Sequence, residues 1–510
     1  MYTKTSTPEN FQKCLTGLMA KRGLSAAQLA GMLGYKSKTT LLRVLQGKAG
    51  MRCIGNVYTD LCRCKVLQLT DAESDRLHVA YEVELWGLDD YRARLEMWRL
   101  LRKGEIQSRS MQLYGGDGDS VTLADFLNRF TPADGALPPD GIPVTGLEIY
   151  LLSGCYPSVM NVMAGMLERL EKQIHVTQVF QLGSDTARTV RLIRNILPTL
   201  GYHSYEAYYI RQDDFIPDPI YSNSGTGRVM VLRALLPDGD TREYQILLRN
   251  ESSGVLLESV GLWEHWQQYM APYRDMMHPL KAAVPVVSDY VSLLENYAET
   301  ERNREILIYK GDVCFTNIPT EILVHAIMDE MGGNPLPAGQ AESVLQDLNK
   351  LRSIQEKRFQ NAMTKRQNTH WVAATSALYH FARTGVQKDH FFAMRPFTRE
   401  ERLRIFRHLA GQVKENPYFH LYLLLEEEED TFVNLEATYL DGVGFQLTSP
   451  GTDYCLADGW TETMLTEESF CQLYREFFME ELLVHHVRPA EETAAVLNDI
   501  IRMLQEPEQE

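Results

Sequence analysis

The residues best suited to chemistry crowd into one short stretch near the start of the chain. Lys36, Ser37, Lys38, Thr39, Thr40, Arg43 and Lys48 put cations and hydroxyls within one helical segment. Lys36, Ser37 and Lys38 gather at the start of a helix expected over about 37–46, where the helix dipole and free backbone N–H groups favour phosphate. Thr39, Arg43 and Gln46 project from the face opposite Leu41, Val44 and Leu45. Charge is skewed the same way. Residues 1–65 hold eleven Lys and Arg against Glu9 and Asp60, a net +9, although the whole 510-residue chain carries −17. A small basic head on an acidic body focuses attraction for phosphates at one end.

Other groupings carry less. Cys53, Cys62 and Cys64 lie close in sequence, but Cys62 and Cys64 fall on different helix faces, so no metal site is expected. His485 and His486 splay by roughly 100° on a helix, a poor geometry for joint ligation. Gly225 to Arg228, with Asn223 and Ser224, offers backbone N–H groups but lacks the Gly-Lys-Ser/Thr ending of a nucleotide loop, and reads as a turn. The acidic run Glu426 to Asp430 reads as a solvated loop. Tyr202, Tyr205, Tyr208, Tyr209, Phe215 and Tyr221 could line a ligand pocket, but core packing explains the same residues and is the preferred reading. No motif announces a nucleophile, a base or a carboxylate pair. Hence no catalytic residue, metal or cofactor is expected, and the chain does not read as an enzyme.

The elements that must position the basic stretch are four helices. Phe11, Leu15, Leu18 and Met19 recur at helical spacing over 10–22, and Gly23 ends that helix. Ser25 is placed to cap a second helix carrying Leu29, Ala30 and Leu33, and Gly34 supplies the positive φ of a tight turn. After the third helix and Gly47, residues 52–67 bring Ile54, Val57, Tyr58 and Leu61 to close a small core.

The run Leu24 to Gly34 followed by Thr39 to Gly47 resembles the Cro/lambda-repressor helix-turn-helix family, the XRE-type regulators. Ala30, Gly34, Leu41 and Val44 match its structural positions, though the turn Gly34 to Lys38 holds one residue more than the family's usual spacing. The resemblance implies that the third helix enters the major groove of double-stranded DNA. Lys38, Thr39, Thr40 and Arg43 would read bases beside Ser37, with Lys36 and Lys48 on phosphates. It further implies a cytoplasmic, bacterial-type transcription regulator acting as a homodimer and answering to a small-molecule or peptide effector.

The expected fold class is multidomain, an all-α helix-turn-helix head followed by α/β and α+β modules. The head spans 1–68, and a basic helical connector, either a dimerisation segment or a spacer, spans 69–114. Gly and Pro mark a linker at 115–143. Residues 144–300 alternate strand and helix, with a hairpin at Pro237-Asp238-Gly239. This module resembles the phospholipase-D-like sensor domains found behind some bacterial DNA-binding heads, and it lacks their catalytic His-x-Lys signature. The likeness implies a binding cleft without the chemistry. Residues 301–510 are expected as α+β, with helices near 319–331, 341–363, 369–385 and 398–414, and strands at 305–309, 418–425, 432–440 and 444–448. No repeat of 20–50 residues is visible. A polar N-terminus, eight scattered cysteines and the lack of an apolar run of about 18 residues lead to the expectation of a reduced, internal, non-membrane protein. Two rival readings are a DNA-targeted hydrolase-like enzyme and a DNA-tethered scaffold without a ligand.

Overall fold

Gly23, Gly34 and Gly47 stop three successive helices by one device. These are α1 (Phe11–Lys21), α2 (Ala26–Met32) and α3 (Thr39–Leu45). Each glycine has φ between +63° and +75°. Past each, the N–H of the next residue returns to a carbonyl in the last turn: Leu24 to Met19, Tyr35 to Ala30 and Lys48 to Arg43. This pairing satisfies carbonyls that a helix end would otherwise leave orphaned. The N-termini of α1 and α2 are capped as well. The Asn10 side chain accepts from the Lys13 N–H, and Ser25 with Gln28 forms a reciprocal capping box.

The computed structural model describes residues 9–101, 110–115, 119–135, 140–152, 156–182, 185–200, 202, 204–211, 229–258, 260–280, 295, 298–299, 304–310, 313–314, 317–333, 341–363, 368–387, 394–426, 436–448 and 463–506. Two compact units are distinguished. One is Met1–Trp98 with Asp185–Val190, and the other is Arg99–Ser184 with Arg191–Glu510.

In the helical region, α4 (Met51–Cys64) and α5 (Asp71–Trp86) complete the bundle. Phe11, Leu15, Leu29, Leu41, Val57 and Leu61 are buried in one core, and Leu77 and Ala80 of α5 belong to it. The expected boundary at residue 68 therefore falls inside a packed unit. The reason lies in side-chain alignment: Tyr81 stacks on Tyr58 with ring centroids 4.1 Å apart, and both meet the edge of Phe11. The next helix, α6 (Leu88–Leu101), is buried along most of its length. Its Arg94 is itself buried and lies 4.3 Å from the Trp86 ring centroid.

The segment expected as a linker is also structured. β1 (Gln112–Tyr114), β2 (Ser120–Thr122), α7 (Leu123–Asn128), β3 (Phe130–Pro132) and β4 (Ile142–Val144) fall in or beside it. Phe126, Leu127 and Phe130 are buried, so apolar side chains outweigh the surrounding Gly and Pro. β1 and β2 extend a nine-stranded sheet. Its other members are β5 (Gly146–Leu152), β6 (Ile174–Leu182), β7 (Tyr205–Arg211), β8 (Val229–Leu235), β9 (Thr241–Asn250), β10 (Ser253–Glu258) and β11 (His278–Pro279). The order is β11-β7-β6-β5-β8-β9-β10-β1-β2. Helices α8 (Pro157–Leu170) and α9 (Thr186–Leu200) connect the parallel strands β5, β6 and β7. β7 carries part of the tyrosine cluster; Tyr205 and Ala207 on one face and Ile210 on the other are buried. On this evidence Tyr205 packs in the core, whereas Phe215 and Tyr221 lie outside the described residues. Helix α10 (Leu262–Met270) covers one face with Trp266.

The C-terminal region differs from its expected element list. Residues 369–373 form a strand where a helix was expected, and this strand changes the topology. The sheet contains β12 (Ile306–Tyr309), β13 (Thr369–Ala373), β14 (Phe419–Leu423), β15 (Glu436–Leu440), β16 (Gly444–Thr448) and β17 (Thr463–Leu465), in the order β14-β13-β12-β15-β16-β17. β12, β13 and β14 are parallel. The helices between them are α11 (Thr320–Gly333), α12 (Ala341–Met363), α13 (Thr375–Thr384) and α14 (Arg399–Glu415). α15 (Glu468–Phe477) and α16 (Ala490–Gln505) follow. Thr369 to Ala373 is a five-residue run too short for its period to distinguish strand from helix, and pairing between β12 and β14 decides for strand.

The six strands of this sheet repeat the pattern of β5–β10. In both, three parallel strands run third-second-first, and three antiparallel strands continue beyond the first. Among the described residues no helix is long and apolar enough to cross a membrane.

Candidate nucleic-acid interface

α3 is held at both ends. Before it, the Tyr35 hydroxyl donates to Asp60 Oδ2 at 2.7 Å, tying the α2–α3 turn to α4. Burial and this carboxylate push the Tyr35 hydroxyl well above its usual pKa. After it, Gln12 Nε2 donates to the Leu45 carbonyl at 2.6 Å, tying the end of α3 to α1. Leu41 and Val44 anchor the inner face. Thr39, Thr40, Arg43 and Gln46 are exposed. The outer face is therefore polar and rigidly placed.

α3 is shorter than its expected span. It starts at Thr39, with Lys38 at the N-cap and no side-chain cap from that residue. Ser37 lies just outside and does the tying: its hydroxyl accepts the Thr39 N–H at 3.1 Å and donates to the Thr39 hydroxyl at 2.9 Å. Two turns make only a small dipole, so the attraction for phosphate here rests on side-chain cations.

Those cations separate into two groups. Lys21 and Arg22 reach Glu73 at 2.6 and 2.5 Å. Arg22 also donates to the carbonyls of Leu67, Gln68 and Leu18. Arg63 pairs with Asp60 at 3.1 Å and Arg76 with Glu9 at 2.5 Å. These charges are neutralised locally. Lys36, Lys38, Arg43 and Lys48 are exposed and make no ion pair among the described residues, and the same holds for Lys13 of α1 and Lys65 just past α4. All seven candidate residues, Lys36, Ser37, Lys38, Thr39, Thr40, Arg43 and Lys48, are exposed and lie on α3 or within three residues of it. Arg52, exposed in the first turn of α4, is a further cation that the sequence reading passed over. Its signal was a basic residue just beyond Lys48 at the next helix start.

The set-aside groupings fare as follows. Cys62 and Cys64 are exposed thiols, and no cluster of three or more His, Cys, Asp or Glu able to hold a metal occurs among the described residues. His486 Nε2 lies 3.4 Å from Glu481 Oε1, while the His485 ring stands 6.3 Å from that of His486 at a steep angle. Asn223 to Arg228 and Glu427 to Asp430 lie outside the described residues.

Comparison with protein-family models, with curated proteins and with solved structures finds no match for this chain.

Proposed function

We propose that the N-terminal helices are an XRE-type helix-turn-helix head and that the chain is a sequence-specific, DNA-binding transcriptional regulator. The observation that carries this reading is the division of charge in the head. Lys21, Arg22, Arg63 and Arg76 are paired with acids, while Lys36, Lys38, Arg43 and Lys48, gathered on and around α3, are exposed and make no ion pair among the described residues. An unpaired, outward-facing set keeps its full attraction for phosphate, and polar side chains on a fixed helix can meet base edges. In this reading Lys38, Thr39, Thr40 and Arg43 contact bases, and Lys36, Ser37 and Lys48 contact the backbone. The protein pairs on two half-sites as a homodimer, the sheet regions sense an effector, and no residue is given a catalytic role. The β5–β10 region serves as a phospholipase-D-like binding module without that fold's chemistry.

The test is selection of fragments from the host's genomic DNA by the full-length protein, followed by Arg43→Ala on the best fragment. Enrichment of one sequence class, and its loss in the variant with circular dichroism unchanged, is the expected outcome. Equal retention of all fragments, or selectivity untouched by Arg43→Ala, overturns the assignment.

A further inference from the structure

The nine-stranded sheet carries something the six-stranded one does not. Beyond the six strands of shared pattern it has β1 and β2 on the β10 edge, followed by α7, β3 and β4. A cavity of about 790 Å³ lies between this added segment and the β8–β9–β10 meander. That volume falls within the range of small-ligand sites, roughly 300–1,000 Å³.

Its floor is aromatic. Phe126 and Tyr244 are both buried and meet edge-to-face at 5.2 Å, with Phe130 against each. Its walls are charged and of both signs. Arg129 comes from the end of α7, and Arg242 stands two residues before Tyr244 on β9. Glu258 of β10 lies directly across the strands from Tyr244, and Asp140 borders β4. Asp238, in the β8–β9 turn, is a fifth charged lining residue; all five are exposed, and neither arginine makes an ion pair among the described residues. Burial raises the Tyr244 hydroxyl, Glu258 adds to the rise, and Arg242 and Arg129 oppose it. Arg242, two residues away on β9, and Glu258, directly across on β10, thus flank Tyr244 at the cavity.

We infer that this cavity binds a small zwitterion carrying an apolar group, the chemistry of an apolar amino acid or of its short peptides. Planar guanidiniums match a carboxylate bidentately. Glu258 and Asp140 offer acceptors to an ammonium, and the aromatic floor takes the apolar part. A purely anionic ligand would meet Glu258, Asp140 and Asp238, and a purely cationic one would meet both arginines, so a single molecule with both charges suits the walls best. This deepens the sensing part of the regulator reading above and rests on it for its biological sense.

Binding is measured by calorimetry on the full-length protein without DNA, using leucine and leucyl-leucine as probes. N-acetyl-leucine, which lacks the ammonium, and leucinamide, which lacks the carboxylate, serve as controls. Saturable binding of leucine or the dipeptide is expected, the tighter of the two distinguishing free amino acid from peptide. Each control, and each of Arg242→Ala and Glu258→Gln, should weaken it roughly tenfold or more, the size of one charge-assisted hydrogen bond. Arg249→Ala, exposed on the same strand but outside the cavity, should leave it unchanged. No saturable binding by either probe overturns the inference, as do controls that bind as tightly as the probes or binding indifferent to both cavity substitutions. A chain that binds the zwitterion but no specific DNA overturns only the regulator reading, and the converse overturns only this one.

Discussion

Glu73 engages three groups at once. It caps α5 at Thr70 and binds Lys21 and Arg22 of the α1 end. Those partners, Arg22 first, hold its carboxyl at about 2, against an ordinary value of 4.5. A carboxyl whose folded pKa is depressed favours folding above its unfolded value and loses that contribution as pH falls through the folded one. Glu73→Gln should therefore lower stability at pH 7 and make little difference near pH 2, with the gap closing between about 4.5 and 2. Thermal melts of both proteins across that window check it, and a difference constant with pH counts against the assignment. His370 shows the opposite chemistry. Burial, reinforced by stacked His420 at 4.7 Å, brings its imidazole down to about 4. It should be neutral at pH 5 by NMR, and its share of stability should be present above 6.5 and disappear as pH falls toward 4. An imidazole that titrates near 6.5 would show that His370 is not enclosed as described.

The connection between α2 and α3 depends on backbone conformation more than on packing. A Cβ at Gly34 would meet nothing within 4 Å, yet φ there is +75°. Gly34→Ala should cost only the left-handed backbone penalty, about 1–2 kcal/mol, and the resulting shift of α3 should weaken DNA binding. A stability unchanged in denaturant titration would contradict the left-handed turn. Membership of α5 in the head is tested by Leu77→Ala. Leu77 is 1% exposed in the head core, so truncation should cost about 2–5 kcal/mol. A spacer helix would lose far less. The short elements were the hardest to read. The helices of the head were legible because glycine stops, caps and an apolar period agree over 10–64. β7, β13 and β17 were not, since three to seven residues carry too little periodicity to announce a strand, and β13 falls inside a helical reading of 369–385.

Over the whole molecule, charge and topology pull apart. A chain of net −17 that presents unpaired cations around one short helix should bind DNA through that end alone. Log affinity should fall linearly with log salt at about −0.9 per phosphate contact, and Lys36→Ala should flatten that slope by about one contact while weakening all sequences alike. An unaltered slope would remove Lys36 from the interface. The repeated sheet pattern belongs to this scale too. β5–β10 and β12–β17 share an order and set of directions although no 20–50-residue repeat is visible along the chain. A sheet pattern constrains only which positions are buried, and many apolar side chains satisfy it, so the likeness survives without similar residues. Composition, charge placement, helix stops and the polar face of α3 follow from the order of residues, because each depends on neighbours within a few positions. The tertiary structure alone decided which cations are neutralised, that α5 completes the head, that the Gly- and Pro-rich segment folds onto the first sheet, and that Arg129, Arg242 and Glu258 line one cavity with Tyr244. Each of these brings together residues from separate elements, a proximity that local spacing cannot encode.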